Sequence, residues 1–396
     1  MKTHRTIAGW LILLLLLALP AMVQAQLTYI TNNGTIIITG YTGDGGALVI
    51  PDKINNLPVT SIANYAFYQC YSLTSVTIGT NVTSIGSAAF WDCYTLTSVM
   101  IPNGVTNIMD HTFYACGSLT NVIIPNSVTS IGTEAFLGCE WLPNVIIPNS
   151  VTNIGFEAFY GCGLTNMLIP NSVTSIGDQA FLNCSLLTAI TVDINNPIYS
   201  SVNGVLFNKS QTTLIQCPGG LAENYTIPNS VTSIGNSAFF DCESLTNVTI
   251  GANVTSIGTN AFAFCFSLTS VYFKGNAPAV DSSAFDSDNN ATVYYLPGTT
   301  GWGPPGMLFG GRPTARWLLP YPMILDNGPY FGMQNNRFGF IISWATNRSV
   351  VVQACTNLTN PVWSPVRTNP LAGGSGYFSD PQWTNYPGRF YRLRSP

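Results

Sequence analysis

V-T-S-I-G-S-A-A-F-W-D-C-Y-T-L-T-S-V-M-I-P-N-G, residues 82–104, is one copy of a unit that recurs along most of this chain. Eight units share this pattern, and they begin at Val59, Val82, Val105, Val128, Val151, Val173, Val231 and Val254. Each unit carries one cysteine at the same offset, namely Cys70, Cys93, Cys116, Cys139, Cys162, Cys184, Cys242 and Cys265. Leu, Val and Ile at fixed offsets with a period of about 20 to 29 residues are typical of leucine-rich repeats.

Each unit predicts one coil of a solenoid. The segment L-T-x-V-x-I, for example residues 119–124, alternates apolar and polar positions like a half-buried strand, and Pro125 and Asn126 end it. V-T-S-I-G predicts a second extended piece, and A-F-x-x-C predicts a single helical or 3-10 turn with Ala, Phe and Cys facing inward. One coil cannot bury these apolar side chains alone, so we expect neighbouring coils to stack around a shared core.

The motif I-G-x-x-A-F-x-x-C-x-x-L followed by I-P closely resembles the BspA-like leucine-rich-repeat family, over about residues 27–285. Departures from the motif include Met109 for Gly and Pro143 for Thr, and residues 195–224 form an insertion. The resemblance implies a bacterial, or occasionally protozoan, surface protein that binds host or matrix proteins.

The regions that flank the repeats are predicted from composition. Residues 1–25 have the basic, apolar and small-residue parts of a secretory signal peptide cleaved near Ala25, so we expect a secreted or cell-surface protein. Residues 26–58 predict an N-terminal cap, 59–297 the solenoid, and 298–322 a linker rich in Gly, Pro and Trp. Residues 323–396 predict a small β-sandwich-like module that resembles terminal modules of exported bacterial proteins, which suggests attachment or sorting.

Charge is unevenly distributed along the chain. Residues 26–309 have only Lys53, Lys209 and Lys274 as cations against fifteen Asp and Glu residues, which argues against nucleic acid as a partner. From residue 310 onward, eight arginines face only Asp326 and Asp380. This basic end suggests contact with an anionic envelope polymer, or with the acidic repeats themselves. No segment after the signal peptide is apolar enough to predict a transmembrane helix.

Few residues suggest catalysis. His111 is the one histidine after residue 25, and it takes the place of Glu134 or Glu157 in other units. Those two glutamates would lie side by side in adjacent coils, whereas glycoside hydrolysis needs two carboxyl groups that face each other across a sugar. The sequence therefore predicts no enzyme, cofactor or metal.

An aspartate cluster and the cysteine column suggest ion binding and cross-linking, but a purely structural role is the favoured interpretation of both. The oxygen-rich cluster of Asp281, Asp286, Asp288, Asn289 and Asn290 could hold Ca²⁺. It lacks the spacing of an EF-hand, and a solvated turn is the favoured interpretation. The cysteine column allows disulfides between neighbouring coils, but a column of reduced, buried thiols is the simpler interpretation.

The outward positions of the strands give the leading functional hypothesis, a surface for protein–protein contact or adhesion. One outward column is apolar over four consecutive units, and a neighbouring column is asparagine in three of them. We call the first column the apolar strip (Met100, Ile123, Ile146, Leu168) and the second the asparagine row (Asn121, Asn144, Asn166). An apolar strip on an exposed sheet indicates a protein partner, unless β-propensity alone selected it or another segment covers it.

A third column gives the alternative hypothesis, an extracellular carbohydrate-binding protein. It follows the Phe of each turn, and its aromatic members, here the aromatic column, are Tyr68, Trp91, Tyr114 and Tyr160. These rings could stack on sugars, although packing between adjacent coils is the favoured interpretation.

Overall fold

The structure is a computed structural model that describes residues 26–221, 223–326, 330–344 and 348–395. The predicted signal peptide lies outside the described residues. The chain divides into two compact units. The first runs to Ser210 and includes Gln216–Leu221, and the second contains Gln211–Ile215 and the chain that follows Leu221.

The first unit consists of short strands joined by turns. Its strands are β1 (Leu27–Asn32), β2 (Thr35–Tyr41), β3 (Gly46–Ile50), β4 (Lys53–Ile54), β5 (Leu57–Ile62), β6 (Leu73–Ile78), β7 (Ser84–Ile85), β8 (Ser98–Met100), β9 (Asn107–Ile108), β10 (Asn121–Ile123), β11 (Ser130–Ile131), β12 (Asn153–Ile154), β13 (Asn166–Ile169), β14 (Ser175–Ile176), β15 (Ala189–Val192), β16 (Tyr199–Val202) and β17 (Val205–Asn208).

Two parallel ladders build this unit. The L-T-x-V-x-I segments form the sheet β10-β8-β6-β3 and the pair β13-β15, and the V-T-S-I segments form the two-residue strands of the sheet β14-β12-β11-β9. Equivalent residues of successive units pair in register, as Ile131 does with both Ile108 and Ile154. The predicted fold class, a leucine-rich-repeat solenoid, is thus confirmed, and β3 of the predicted cap already pairs with β6 like a repeat strand.

The A-F-x-x-C segments, predicted as a single helical or 3-10 turn, form tight turns closed by hydrogen bonds between residues three apart. In the second repeat, the Cys93 amide donates to the Phe90 carbonyl three residues earlier, at 3.2 Å. In all eight repeats the residue two positions before the Phe has a positive φ, for example 57° at His111 and 52° at Glu134. This conformation aims amides at the next coil, so that Phe90 N donates to Thr112 O at 2.9 Å. Hydrogen bonding between coils therefore continues around the turn.

Phenylalanine rings and thiols fill the core inside these turns. Phe113, Phe136 and Phe159 are fully buried, with successive ring centroids 5.3 Å apart and nearly parallel planes. Six cysteines of the column donate to the carbonyl of a Phe in the preceding coil, as Cys139 Sγ does to Phe113 O at 3.3 Å. None of the ten cysteines forms a disulfide bond within the described residues. The thiol hydrogen bonds explain why a small, weakly polar residue suits this position.

The second unit begins with further repeats. Its strands up to residue 316 are β18 (Thr213–Gln216, whose last residue belongs to the first unit), β19 (Asn224–Thr226), β20 (Ser233–Ile234), β21 (Asn247–Ile250), β22 (Ser256–Ile257), β23 (Ser270–Phe273), β24 (Ala279–Val280), β25 (Thr292–Tyr295), β26 (Leu308–Phe309) and β27 (Arg312–Arg316). Within this unit, one sheet has the strand order β19-β21-β23-β25-β27-β26.

The segment predicted as a linker, residues 298–322, contributes to this ladder. β27 pairs in parallel with β25, and Tyr294 lies beside Ala315. Trp302 is 5% exposed and stacks on Tyr295, with ring centroids 5.3 Å apart. Gly and Pro suggested a linker, whereas the aromatic residues among them bury the apolar end of the last coil.

The remainder of the second unit is a small antiparallel β module. Its elements are β28 (Met323–Leu325), β29 (Gly332–Gln334), β30 (Arg337–Ser343), β31 (Arg348–Cys355), β32 (Ser364–Leu371), β33 (Ser375–Asp380), the 3-10 helix Trp383–Asn385 and β34 (Phe390–Arg394). β28, β29 and β33 all pair with β30, and the second sheet has the order β32-β31-β34. Phe340, Ile342, Val350, Val352 and Phe378 form its buried core.

Candidate binding surface

Strand alternation exposes the apolar strip. Val99 and Val122 point into the core, while Met100 and Ile123, their neighbours in β8 and β10, are 61% and 51% exposed. These two residues pair directly across the sheet. Leu168 of β13 is 59% exposed beside buried Met167. These side chains therefore point outward in the structure, as predicted.

The fourth coil, which contains Ile146, departs from the sheet. Residues 142–148 form no strand, although they occupy the strand position of the repeat. In the preceding coil the Thr120 amide donates to Thr97 O at 2.9 Å, but Pro143 at the equivalent position has no amide hydrogen to donate. Ile146 is 84% exposed, the largest exposure within the strip. The most prominent side chain of the strip thus lies where the ladder is interrupted.

The asparagine row runs beside the apolar strip. Asn121, Asn144 and Asn166 are all exposed. Thr165 connects two of them, since its Oγ1 accepts from Asn166 Nδ2 at 3.2 Å and donates to Asn144 Oδ1 at 3.5 Å. Polar groups that border an apolar centre are the usual arrangement of a protein-binding surface.

Trp141 is a candidate contact residue that sequence reasoning missed. It is 68% exposed, three residues before Asn144 on the same coil. The equivalent position carries Ser72, Thr95 and Ser118 in the three earlier repeats, so a tryptophan after three small, polar residues was the available signal. Tryptophan is also among the residues that most often dominate binding energy at interfaces.

The aromatic column packs between coils, as the favoured interpretation predicted. Trp91 and Tyr114 are half-buried, with ring centroids 4.4 Å apart, and His111 stacks on Trp91 at 5.1 Å. Leu137 separates Tyr114 from Tyr160, which is also half-buried. These contacts make most of the column part of the coil-to-coil packing.

The first coil of the column is more open. Tyr68 is 46% exposed, and Tyr65, which the sequence analysis did not single out, is 56% exposed and meets it edge to face at 5.9 Å. An open cavity of about 460 Å³ lies beside them, and its walls include Tyr41, Tyr68, Gln69 and Tyr71. Tyr71 OH donates to Asp92 Oδ2 at 3.0 Å.

One histidine and two glutamates of the turns lie next to one another in successive coils. His111, Glu134 and Glu157 share one position in successive coils, and His111 Nε2 lies 3.5 Å from Glu134 Oε2. Burial raises the pKa of Glu157, and the neighbouring Glu134 carboxylate adds to this rise. The two glutamates are therefore neighbours along the stack.

The expected solvated turn at residues 281–288 is wrong for one of its aspartates. Asp281 is exposed and accepts hydrogen bonds from Ser283, but Asp288 is fully buried because it occupies the inner position that cysteine holds in other coils.

Within the described residues, no three or more His, Cys, Asp and Glu side chains are grouped so that they could hold a metal ion. That part of the chain also contains no helix long and apolar enough to cross a membrane.

Comparison with solved structures finds bacterial leucine-rich-repeat proteins. A leucine rich cell surface protein from Faecalibacterium prausnitzii is 30% identical, with a TM-score of 0.54, over 68% of this chain and 86% of that chain. A leucine-rich repeat protein from Eubacterium ventriosum is 26% identical, with a TM-score of 0.50, over 69% of this chain and 77% of that one. The pneumococcal vaccine antigen PcpA shares the fold at 19% identity, with a TM-score of 0.54, over 69% of this chain and 92% of its own.

Comparison of the sequence with curated proteins gives no match. The BspA type Leucine rich repeat region matches in six copies, over residues 60–188, 106–223 and 219–300. These ranges cover more than half of the chain and include the apolar strip, the asparagine row and the aromatic column. This protein belongs to the BspA-type leucine-rich-repeat family.

Proposed function

We propose that this protein is a non-enzymatic binding protein of the cell surface or the secreted fraction, and that it binds another protein through the apolar strip. One observation carries the proposal: four apolar side chains on successive coils are between 51% and 84% exposed. Soluble monomers seldom expose a contiguous apolar patch of this kind unless it binds something.

The physical properties of the surface suit a protein partner. Backbone hydrogen bonds fix β8, β10 and β13, so little conformational entropy is lost when a partner binds. Trp141 and Ile146 would supply the central apolar contacts, with the asparagine row as a polar border. The acidic repeats disfavour nucleic acid, and adjacent Glu134 and Glu157 give no facing pair for hydrolysis.

Support for a surface location comes from the N-terminal sequence and from a relative. Residues 1–25 have the pattern of a signal peptide, and the Faecalibacterium protein is described as a cell surface protein. Export would place the apolar strip where extracellular proteins can reach it, which is the condition for adhesion.

Paired charge substitutions test the proposal. The double variant Ile123→Asp and Ile146→Asp places two carboxylates on the strip, while Thr106→Asp and Thr129→Asp place two on exposed positions of the other ladder in adjacent coils. Each protein is immobilised and exposed to extracellular proteins, and captured proteins are quantified by cross-linking and mass spectrometry. We expect the strip variant to capture at least about tenfold less of a partner protein that the control captures like the wild type. Equal capture by both variants would contradict the proposal.

A glycan is the second candidate partner, and the open end of the aromatic column favours it. Tyr65 and Tyr68 are exposed beside the cavity that Tyr41 and Tyr71 line. Aromatic faces with hydroxyl and amide groups nearby are suited to sugar rings. A glycan array with the wild type and Tyr68→Ala tests this alternative, which predicts a bound glycan that the variant no longer retains.

A further inference from the structure

The second sheet of the C-terminal module has a basic outer face. Val350 and Val352 of β31 are fully buried, so Val351 and Gln353, which alternate with them along the strand, point to the opposite face. Gln353 pairs with Arg392 of β34, and Val351 pairs with Arg394. Paired residues of antiparallel strands share a face, so both arginines lie on the outer side, and both are exposed.

The guanidinium group of Arg392 is held in a fixed orientation. Its Nε donates to Gln353 Oε1 at 2.8 Å, and Gln353 is only 4% exposed. The Arg392 guanidinium also lies over the Trp363 ring, 4.5 Å from the centroid. The Nη1 and Nη2 groups then remain to donate, and two parallel N–H bonds from a guanidinium match a carboxylate.

Both arginines lack an acidic partner among the described residues. Asp380 is 1% exposed and is already bound by Arg389 at 3.1 Å and by the Tyr391 hydroxyl at 2.9 Å. The other acidic residue after position 310, Asp326, lies beside β28 of the other sheet. The positive charge of this face is therefore open to an anion from outside the chain.

We propose that this face binds an acidic polysaccharide through the carboxylates of its uronic acid units. Phe390, Arg392 and Arg394 occupy alternate positions of β34 and so follow one line, about 7 Å apart. Arg392 takes one carboxylate in two parallel hydrogen bonds, Arg394 attracts the next acidic unit, and Phe390, 41% exposed, stacks on a sugar face. A linear set of contacts matches a chain of repeating acidic units. This site is separate from the apolar strip and does not depend on it.

Binding of polygalacturonate to the full mature chain tests the proposal. The face variant is Arg392→Gln with Arg394→Gln. The control, Arg337→Gln with Arg348→Gln, removes the same charge from the same module. A third variant, Arg392→Lys, keeps the charge but loses the planar guanidinium. We expect the face variant to bind about tenfold or more weakly, the control to change less than about twofold, and Arg392→Lys to lose several-fold. Ile123→Asp with Ile146→Asp should bind like the wild type.

Several results would overturn the proposal. They are absence of binding by the wild type, equal loss in the face and control variants, and wild-type affinity in Arg392→Lys. Vesicles that contain phosphatidylglycerol, tested beside polygalacturonate, distinguish a lipid surface: if the face variant loses vesicle binding but not polysaccharide binding, the polysaccharide assignment is wrong.

Discussion

Asp288 occupies the inner position one coil beyond Cys265. The Cys265 amide donates to Phe262 O at 3.3 Å, and the Asp288 amide donates to Phe285 O at 3.2 Å, so the two residues are equivalent in their turns. Both are fully buried. Cys265 Sγ donates to Phe239 O at 2.9 Å, but neither Asp288 carboxyl oxygen has a hydrogen-bond partner among the described residues. The end of this cysteine column is therefore an acid without a partner.

We predict that Asp288 makes the protein less stable as the pH rises. Burial raises the pKa of Asp288 from 3.8 to about 8, against the Arg312 guanidinium, which lowers the pKa, and together with the Asp286 carboxylate, which raises it. The folded state thus holds a proton that the unfolded state releases, so the free energy of unfolding falls between about pH 4 and pH 8. Asp288→Asn should flatten this fall and raise the free energy of unfolding at alkaline pH by about 1–2 kcal/mol. Urea unfolding across this pH range measures both effects, and an unchanged slope in the variant would contradict the assignment.

We predict that the buried cysteines of the column react with thiol reagents only after unfolding. Cys93, Cys116, Cys139 and Cys184 are buried, and burial raises the pKa of each thiol, so little thiolate forms. Cys70 at the start of the column is only partly buried and should react first. Timed labelling with mass spectrometry, with Cys70→Ser as the control, checks this order. Rapid labelling of two or more inner cysteines in the native protein would contradict it.

The repeat made some features predictable and left others hidden. Alternation within L-T-x-V-x-I was enough to place Val122 inside and Ile123 outside, because strand geometry fixes the orientation of side chains. The period also placed Phe136 and Cys139 in the core. The left-handed turn at Glu134 could not be foreseen, because it follows from hydrogen bonds to the next coil, which no local pattern encodes.

Local sequence patterns also predicted only part of the structure at the ends of the repeats. β27 has no repeat motif, and only its pairing with β25 reveals it as a repeat strand. Asp288, in contrast, lies 23 residues after Cys265, so the period itself carried the signal that this aspartate would be buried. The basic outer face depended on the register of β31 against β34, which composition does not give.

We predict that Gly155→Ala is strongly destabilising because successive coils approach closely at the glycine of V-T-N-I-G. A Cβ atom built on Gly155 would lie 2.5 Å from the carbonyl carbon of Gly132, and the next nearest atoms, the Gly132 oxygen and the Thr133 nitrogen at 2.6 Å, are also backbone, so there is little room to relax. We expect a loss of about 2–4 kcal/mol in the free energy of unfolding, as for overpacked cores. Gly251→Ala is the control, since its nearest neighbour is the Asn229 side chain at 3.3 Å, and it should cost less than about 1 kcal/mol. Similar losses in chemical denaturation of the two variants would argue against this close approach.

We predict that Pro143→Thr restores the strand that is missing from the fourth coil. Thr97 donates to Thr74 O at 2.8 Å and Thr120 donates to Thr97 O at 2.9 Å, so a threonine at position 143 would donate to Thr120 O in the same way. One added hydrogen bond should raise the free energy of unfolding by about 0.5–1.5 kcal/mol, and hydrogen exchange should slow across residues 142–148. Pro125→Thr, in the turn after β10, is the matched control and should give neither change. If exchange across 142–148 stays fast in Pro143→Thr, the interruption has another cause than the missing amide, and the exposure of Ile146 would then be a property of the whole coil.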